Sequence, residues 1–560
     1  MTADTTLDKV GAFRWLHPGH GIPLLARLVR IMNVVEQTSL RQQQIDALND
    51  GEFDVFVVGG GINGAVSAAA LAGRGLSVGL AEQADFGGFT SQESSNLVWG
   101  GFKYLQNYEI PLVFKLCRSR NKLMDAYPTV IAEIPFFATL DDSSPFPSWL
   151  AGAGSVAYWG LGLAQTRPPR FYRPRAIADA EPIVNTTGAD AAIEYADGYL
   201  KDNDARFVWS FARSAIDLGA AAANYLSVTR ARFDGDTWTI NLRDVTTGRI
   251  LEARSRVLVN AAGPFSDRFN RDLGIKTKHR IVYSKGIHLV VPQLTASDRV
   301  LAFFDDTQRL FYVIPMAHRS VIGTTDTRTD NAREPVTDDE RRFLLEQVNA
   351  RLNLAAPLTM SDIIAERNGV RPLVVERGDS DHEETDWTSL SRKHEIEHDR
   401  GHRIVTIFGG KLTDCLNVGE EVVEAVEDLG LTVGPESSWY GEEPASARQA
   451  FYQRAATVGL DRRPEVERAR SMAEVLWRRH GTAANRIVDA IIDDESSAEP
   501  IMDETDILGA EIALYLEREM VVNIDDLLRR RTKLAMLHRP DDLARHPGIN
   551  AITKTLLNTG

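Results

Sequence analysis

An α/β fold that opens on a dinucleotide-binding unit and closes on a helical domain is predicted by three observations. A glycine-rich turn, Gly59-Gly60-Gly61-Ile62-Asn63-Gly64, stands between an apolar strand-like run and an alanine-rich stretch. From there to about Leu429, apolar strand-like runs alternate with helical stretches, as an α/β protein requires. After about Gly434 the alternation gives way to charged helical segments.

The bulk properties bound the rest. A chain of 560 residues is longer than one hydrophobic core fills, which gives about two to four domains. Hydrophobic content of 43% with 25% charged residues excludes a disordered chain. A net charge of -15 repels polyanions and argues against nucleic acid as a partner, although a few local cations still suffice for a small anion. Cys117 and Cys415 are far apart and lack metal-ligand spacing, so a reducing compartment and no disulfide framework are expected. No basic start, apolar run and cleavage site occur together, so secretion is not expected.

Taken in order, residues 1–50 read as a leader. It carries Phe13 and Trp15, then Leu24, Leu28, Met32 and Val35 at helical spacing with Arg27 and Arg30 off that face. Such a basic amphipathic helix suits either an anionic membrane surface or packing on the chain's own body. A strand at 54–58, a helix at 65–74 closed by Gly75, and a strand at 76–81 follow. Further strand-like runs lie at 256–259, 287–291, 310–314 and 403–408. Residues 143–166 carry no charge, but only 149–163 can form a continuous helix, too short for a comfortable membrane span, and a buried or interfacial segment is expected. Helical stretches at 444–459, 464–480 and 509–536 form the C-terminal domain, 434–560.

Gly59, Gly61 and Gly64 satisfy G-x-G-x-x-G. The first glycine allows the tight turn, the second lets a pyrophosphate approach, and the third lets helix pack on strand. The following helix offers unpaired N–H groups and a positive dipole end to the phosphates. Glu82 closes the second strand, where an acceptor for ribose hydroxyls belongs, and its charge disfavours a 2′-phosphate. This unit alone leaves FAD and NAD open. Three later features favour FAD: the apolar run ending Asn260-Ala261-Ala262-Gly263, the turn Phe408-Gly409-Gly410-Lys411, and the polar loop 87–96 with Thr90 and Ser91, long enough to follow an extended cofactor.

From about Arg41 to His538 the chain resembles the flavin-linked glycerol-3-phosphate dehydrogenases. The residues that carry the resemblance run from Phe53 through Gly61, then Thr90-Ser91 with Ser94-Ser95, Gly100-Gly101-Phe102-Lys103-Tyr104-Leu105, and Lys285-Gly286-Ile287-His288-Leu289-Val290-Val291-Pro292. Ile322-Gly323-Thr324-Thr325-Asp326, Gly369-Val370-Arg371-Pro372-Leu373, Ser391-Arg392-Lys393-His394-Glu395-Ile396, Gly409-Gly410-Lys411-Leu412-Thr413 and residues 525–532 continue it. Two positions depart: Trp99 stands where the family usually has His, and Lys103 where it has Arg. Lysine keeps the charge but lacks the planar fork that grips a phosphate.

The resemblance implies an FAD-binding Rossmann-like domain with an inserted mixed-sheet substrate domain, interleaved over 51–433, with substrate parts at roughly 110–200 and 280–365. It implies oxidation of sn-glycerol 3-phosphate to dihydroxyacetone phosphate, with hydride passing to FAD and electrons to a membrane quinone. His288 is then the base, since an imidazole titrates near neutral pH. Arg371, Arg392 and Lys411 form the phosphate anchor, with Lys103 adding charge and Tyr104 bonding substrate or flavin. Arg371 and Lys411 join His288 in the catalytic set. Thr324, Thr325 and Asp326 line the site. His394 and His398 have the spacing of a metal pair on a helix, but no further ligand motif accompanies them; they read as surface histidines, and no metal is expected.

A cytoplasmic enzyme held at the membrane surface is the expected localisation, and a homo-oligomer is compatible with the sequence. An enzyme of the same architecture acting on another small hydroxy or amino compound, or using oxygen, is the alternative that Trp99 and Lys103 suggest. A non-catalytic dinucleotide-binding module is the second alternative.

Overall fold

The computed structural model describes residues 39–305, 307–377, 393–462 and 471–559. The expectations at Phe13, Trp15 and 24–35, and the proposed anchor Arg392, lie outside the described residues.

Among the described residues two sheets organise the chain. The first has eight strands, with Glu395–Asp399, Ile404–Phe408, Ile250–Asn260, Glu52–Val58, Val78–Ala81 and Ala221–Ala223 side by side. The last five of these run parallel. A parallel sheet is covered on both faces, which is why Val55, Phe56 and Val57 form an unbroken buried run instead of alternating with polar residues. One cover is the helix Ile62–Gly73, buried from Gly64 onward and packed against the helices Asp204–Asp217 and Cys415–Asp428. Alanine dominates it because neighbours crowd it from every side. The opposite cover is an antiparallel pair, Leu226–Phe233 and Trp238–Asp244, with Ile45 and Leu48 of the helix Leu40–Leu48 beneath.

The second sheet has ten strands and is mixed. Its central strand His279–Pro292 pairs antiparallel with Ala365–Glu376 on one edge and with Arg319–Gly323 on the other. Leu310–Met316, Val300–Phe304, Ile131–Leu140 and Ala191–Leu200 continue outward, and Val300–Phe304 lies parallel to Ile131–Leu140. The helix Ser148–Leu161 sits on this half of the molecule. Ala151, Gly152, Ser155 and Tyr158 face inward, while Trp149, Leu150 and Val156 face outward, Trp149 being 72% exposed. Among the described residues no helix is long and apolar enough to cross a membrane.

Helices Ala445–Ala456, Met472–His480, Ala484–Asp493 and Gly509–Arg518 build the C-terminal part. The expected stretch 509–536 is broken into Gly509–Arg518, a π-helical turn Asp526–Arg531 and the short helix Leu534–Leu537. The break has a local cause: Asp526 Oδ2 accepts from the Val522 and Asn523 amides, both at 2.8 Å, which holds the backbone out of a continuous helix. The turn also aims three arginines at the glycine-rich half of the chain. Arg529 donates to Gln92 O and pairs with Glu93 at 3.2 Å, while Arg530 and Arg531 reach Asp85 at 2.9 and 2.8 Å. Asp85 and Arg531 are wholly buried, and stranding either charge would cost about 3–5 kcal/mol, so this clamp fixes the C-terminal part to the loop that follows Glu82.

Candidate active site

The glycine turn is set by what a side chain would strike. A Cβ on Gly64 would lie 1.8 Å from Gly59 O, and one on Gly59, at φ +104°, would lie 2.5 Å from Ala261 O. The strand end carrying Ala261, Ala262 and Gly263 thus presses against the first turn. Ser91 Oγ accepts from the Ile62 amide at 3.0 Å, at the start of the helix Ile62–Gly73, while Thr90 donates to Val370 O at 2.9 Å. These two hydroxyls tie the polar loop to the helix start and to the second sheet.

Glu82 Oε2 accepts from the Gly60 amide at 2.6 Å and Oε1 from Ala84 at 2.8 Å. Burial pushes its carboxyl up despite those donors, so hydroxyl donors of a ribose would suit it. The second glycine turn meets the first: Asn63 Nδ2 donates to Gly409 O at 2.8 Å, and Gly409 and Gly410 take φ of +63° and +107°. A side-chain-free cradle at a helix start, an acid at the next strand end and a second glycine turn against them fit an extended dinucleotide.

The cross-strand register builds the reacting face. His288 stands opposite Arg367, Gly286 opposite Gly369, and Ser284 opposite Arg371. Directly opposed residues of an antiparallel pair project on the same side, so His288 and Arg371 share one face. Glycine at Gly286 is required because the Arg371 guanidinium lies across it, with Nη2 2.3 Å from where a Cβ would be. Arg371 Nη2 donates to Thr324 Oγ1 at 2.9 Å, and Nη1 stands 3.4 Å from Asp326 Oδ1. Thr325 Oγ1 accepts from the Ile287 amide at 3.1 Å. The segment Thr324-Thr325-Asp326 therefore packs on Arg371 and the central strand, and the peptide bond Gly323–Thr324 is cis.

His288 is 3% exposed, and no hydrogen bond from the described residues fixes its tautomer. Burial, followed by the charges of Arg367 and Arg371, holds its imidazole well below the ordinary value of 6.5. It is neutral at physiological pH and able to accept a proton. On the loop before the helix Ile110–Ala126, Lys103 and Tyr104 share one 3₁₀ turn, Phe102–Asn107. Lys411 Nζ lies 4.0 Å above the centre of the Tyr104 ring, which joins this loop to the Gly409-Gly410 turn.

Two features escaped the sequence reading. Arg367 is buried beside His288 and is held by Ser94 O and by Asn96 Oδ1 at 2.7 Å. Its spacing of four from Arg371 on one strand puts both on the same face, the signal that could have found it. Asp197, wholly buried, accepts from Arg120 at 2.6 Å, from the Tyr158 hydroxyl at 2.8 Å and from the Gly100 amide at 3.2 Å, and so sets the start of the Lys103 loop.

One expectation is corrected. His394 is not a surface histidine but is 6% exposed, with Nε2 2.8 Å from Glu421 and Nδ1 3.1 Å from Asp414. Burial opposes its charge, but the two carboxylates outweigh it and the imidazole is pushed up to about 9. His398 lies apart from it on the strand Glu395–Asp399, where a spacing of four does not make a helical pair.

Comparison with known proteins identifies the family. The FAD dependent oxidoreductase (DAO) family model matches residues 54–413, and the model of the C-terminal domain of alpha-glycerophosphate oxidase matches residues 441–559. Glycerol-3-phosphate dehydrogenase 2 of Mycobacterium bovis is 30% identical over 510 residues, covering 89% of this chain and 84% of that protein. Glycerol-3-phosphate dehydrogenase of Pseudomonas aeruginosa is 29% identical over 500 residues, 88% of this chain and 94% of that protein. In fold, the chain resembles the X-ray structure of the Bacillus halodurans glycerol-3-phosphate dehydrogenase complexed with FAD, with a TM-score of 0.70, 21% identity and 93% of each chain covered. A glycine cradle made for a dinucleotide, a neutral histidine beside a cation, and relatives similar along nearly the whole length lead to one assignment: the chain belongs to the FAD-dependent oxidoreductase family, among its glycerol-3-phosphate dehydrogenases.

Proposed function

We infer that the protein oxidises sn-glycerol 3-phosphate to dihydroxyacetone phosphate, with FAD as cofactor. The observation that carries this reading is the buried, uncharged His288 on the same sheet face as Arg371. Gly59, Gly61, Gly64, Glu82, Thr90, Ser91, Ala262, Gly263, Gly409 and Gly410 would hold the cofactor, and bound FAD supplies the hydride acceptor. His288 takes the proton of the substrate C2 hydroxyl onto an imidazole nitrogen. Arg371 holds the substrate phosphate, with Lys411, Lys103 and Arg392 supplying further positive charge, and Tyr104 orients Lys411 from below. Water is kept from the base because the strands on both sides bury it.

Arg371→Ala is expected to raise KM for glycerol 3-phosphate by about 10- to 100-fold, as loss of charge-assisted hydrogen bonds worth roughly 1.5–3 kcal/mol would give. Steady-state kinetics against glycerol 3-phosphate and unphosphorylated glycerol check this. An unchanged KM, or equal turnover of both compounds by the parent enzyme, rejects the phosphate anchor.

The electron acceptor in this reading is a quinone reached from a membrane surface. The outward face of the helix Ser148–Leu161, with Trp149, Leu150 and Val156, supports it, as does Phe171, 57% exposed and packed beside Gly152. A monotopic protein needs such an apolar contact surface. Fractionation without detergent is expected to leave part of the protein with membranes and Trp149→Glu to release it, with quinone analogues reduced by the parent enzyme. Protein wholly in the supernatant, with no quinone reduction, removes this part of the proposal.

A further inference from the structure

Away from the reacting face, a cavity of about 610 Å³ opens between the helix Asp204–Asp217 and the C-terminal helices. That volume lies within the roughly 300–1,000 Å³ typical of small-molecule sites. Its inner arginines are ion-paired: Arg206 with Glu519 at 2.9 Å, Arg478 with Asp202 at 2.7 Å and Arg479 with Asp506 at 2.5 Å.

Three further arginines line the same cavity from three different helices, Arg213 on Asp204–Asp217, Arg486 on Ala484–Asp493 and Arg518 on Gly509–Arg518. Arg213 bonds Asp217 one turn along its own helix, and Arg486 stands 3.6 Å from Glu517. Arg518 makes no hydrogen bond or ion pair with the described residues although it is half-buried. Burial, and then the charges of Arg213 and Arg486, push its guanidinium below the ordinary arginine range, although Asp217 and Glu517 nearby act in the opposite direction. A helix C-terminus favours one terminal arginine through its dipole, but it does not account for two more arriving from other helices.

We propose that this cavity is a second anion site, in which Arg213, Arg486 and Arg518 bind a small phosphorylated molecule against the aromatic walls of Trp209 and Trp477. Converging guanidinium groups suit a phosphate because each presents a planar fork of donors. The ligand would bridge the helix Asp204–Asp217 and the C-terminal helices, the same two parts that Arg206 and Glu519 join further in. Occupancy therefore stabilises their docking rather than taking part in the oxidation.

The test uses FAD-loaded enzyme at fixed ionic strength, with inorganic pyrophosphate as the probe and tryptophan fluorescence as the readout, since Trp209 and Trp477 line the cavity. The Arg371→Ala background weakens binding at the reacting face. Saturable quenching is expected, together with a rise in melting temperature of a few degrees (~2–4 °C) at saturating probe. Arg518→Gln and Arg486→Gln should each weaken binding by about tenfold or more while kcat and KM for glycerol 3-phosphate, measured in the parent background, stay within about twofold. Arg486 is exposed, so its variant tests the site even if Arg518→Gln folds poorly. Absence of saturable binding, or equal affinity in both Gln variants and the parent, overturns the proposal. None of these results bears on the oxidation itself.

Discussion

Replacing His288 with alanine is expected to lower kcat for glycerol 3-phosphate by about 10²–10⁴-fold, the usual worth of a positioned general base. FAD content should be unchanged, because no cofactor-holding residue is altered. The pH profile gives a second readout. A base is active when unprotonated, so kcat/KM rises as pH rises through its free-enzyme pKa. Burial, Arg367 and Arg371 all depress that value from 6.5, so the acid limb should lie below pH 6.5 and the profile should be flat from there through neutrality. An acid limb at or above 6.5, or a His288→Ala enzyme with near-parent kcat, would remove His288 from the role of base.

Gly64→Ala is expected to abolish stable FAD binding. The added methyl would sit 1.8 Å from Gly59 O, a backbone atom that cannot swing aside, and Gly59 is itself pressed against Ala261. Either the helix Ile62–Gly73 moves off the strand Glu52–Val58 or the turn opens, and both destroy the cradle at the helix start. Flavin absorbance per mole of purified protein measures the outcome, with near-total loss expected. The exposed Gly188, with nothing near its Cβ but a φ of +77°, serves as a control: Gly188→Ala carries local strain yet should retain FAD. Equal flavin content in Gly64→Ala and parent would falsify the assignment of this turn as the cofactor cradle.

What the sequence revealed and what it concealed divide along the range of the interactions. Strand, glycine turn, helix and acid lie within one short stretch, and local geometry dictates each of them, so Gly59 through Glu82 could be read directly. His288, the proposed base, was legible only through its motif, because a histidine in an apolar strand is usually a packed residue. Arg367 was missed because its position beside His288 is a matter of register between two strands far apart in the chain. His394 misled for the same reason: Asp414 and Glu421, which bury and charge it, belong to a different element. The clamp of Arg530 and Arg531 on Asp85 joins opposite ends of the protein, and no periodicity announces it. Helix 509–536 was overextended because a side chain, Asp526, diverts the backbone by bonding to it.

Anaerobic addition of glycerol 3-phosphate to the purified yellow protein tests cofactor, substrate and direction of electron flow at once. The flavin absorbance should bleach within seconds, with unphosphorylated glycerol leaving it intact at the same concentration. A flavin that stays oxidised with glycerol 3-phosphate, or a protein that carries no flavin, would contradict the account.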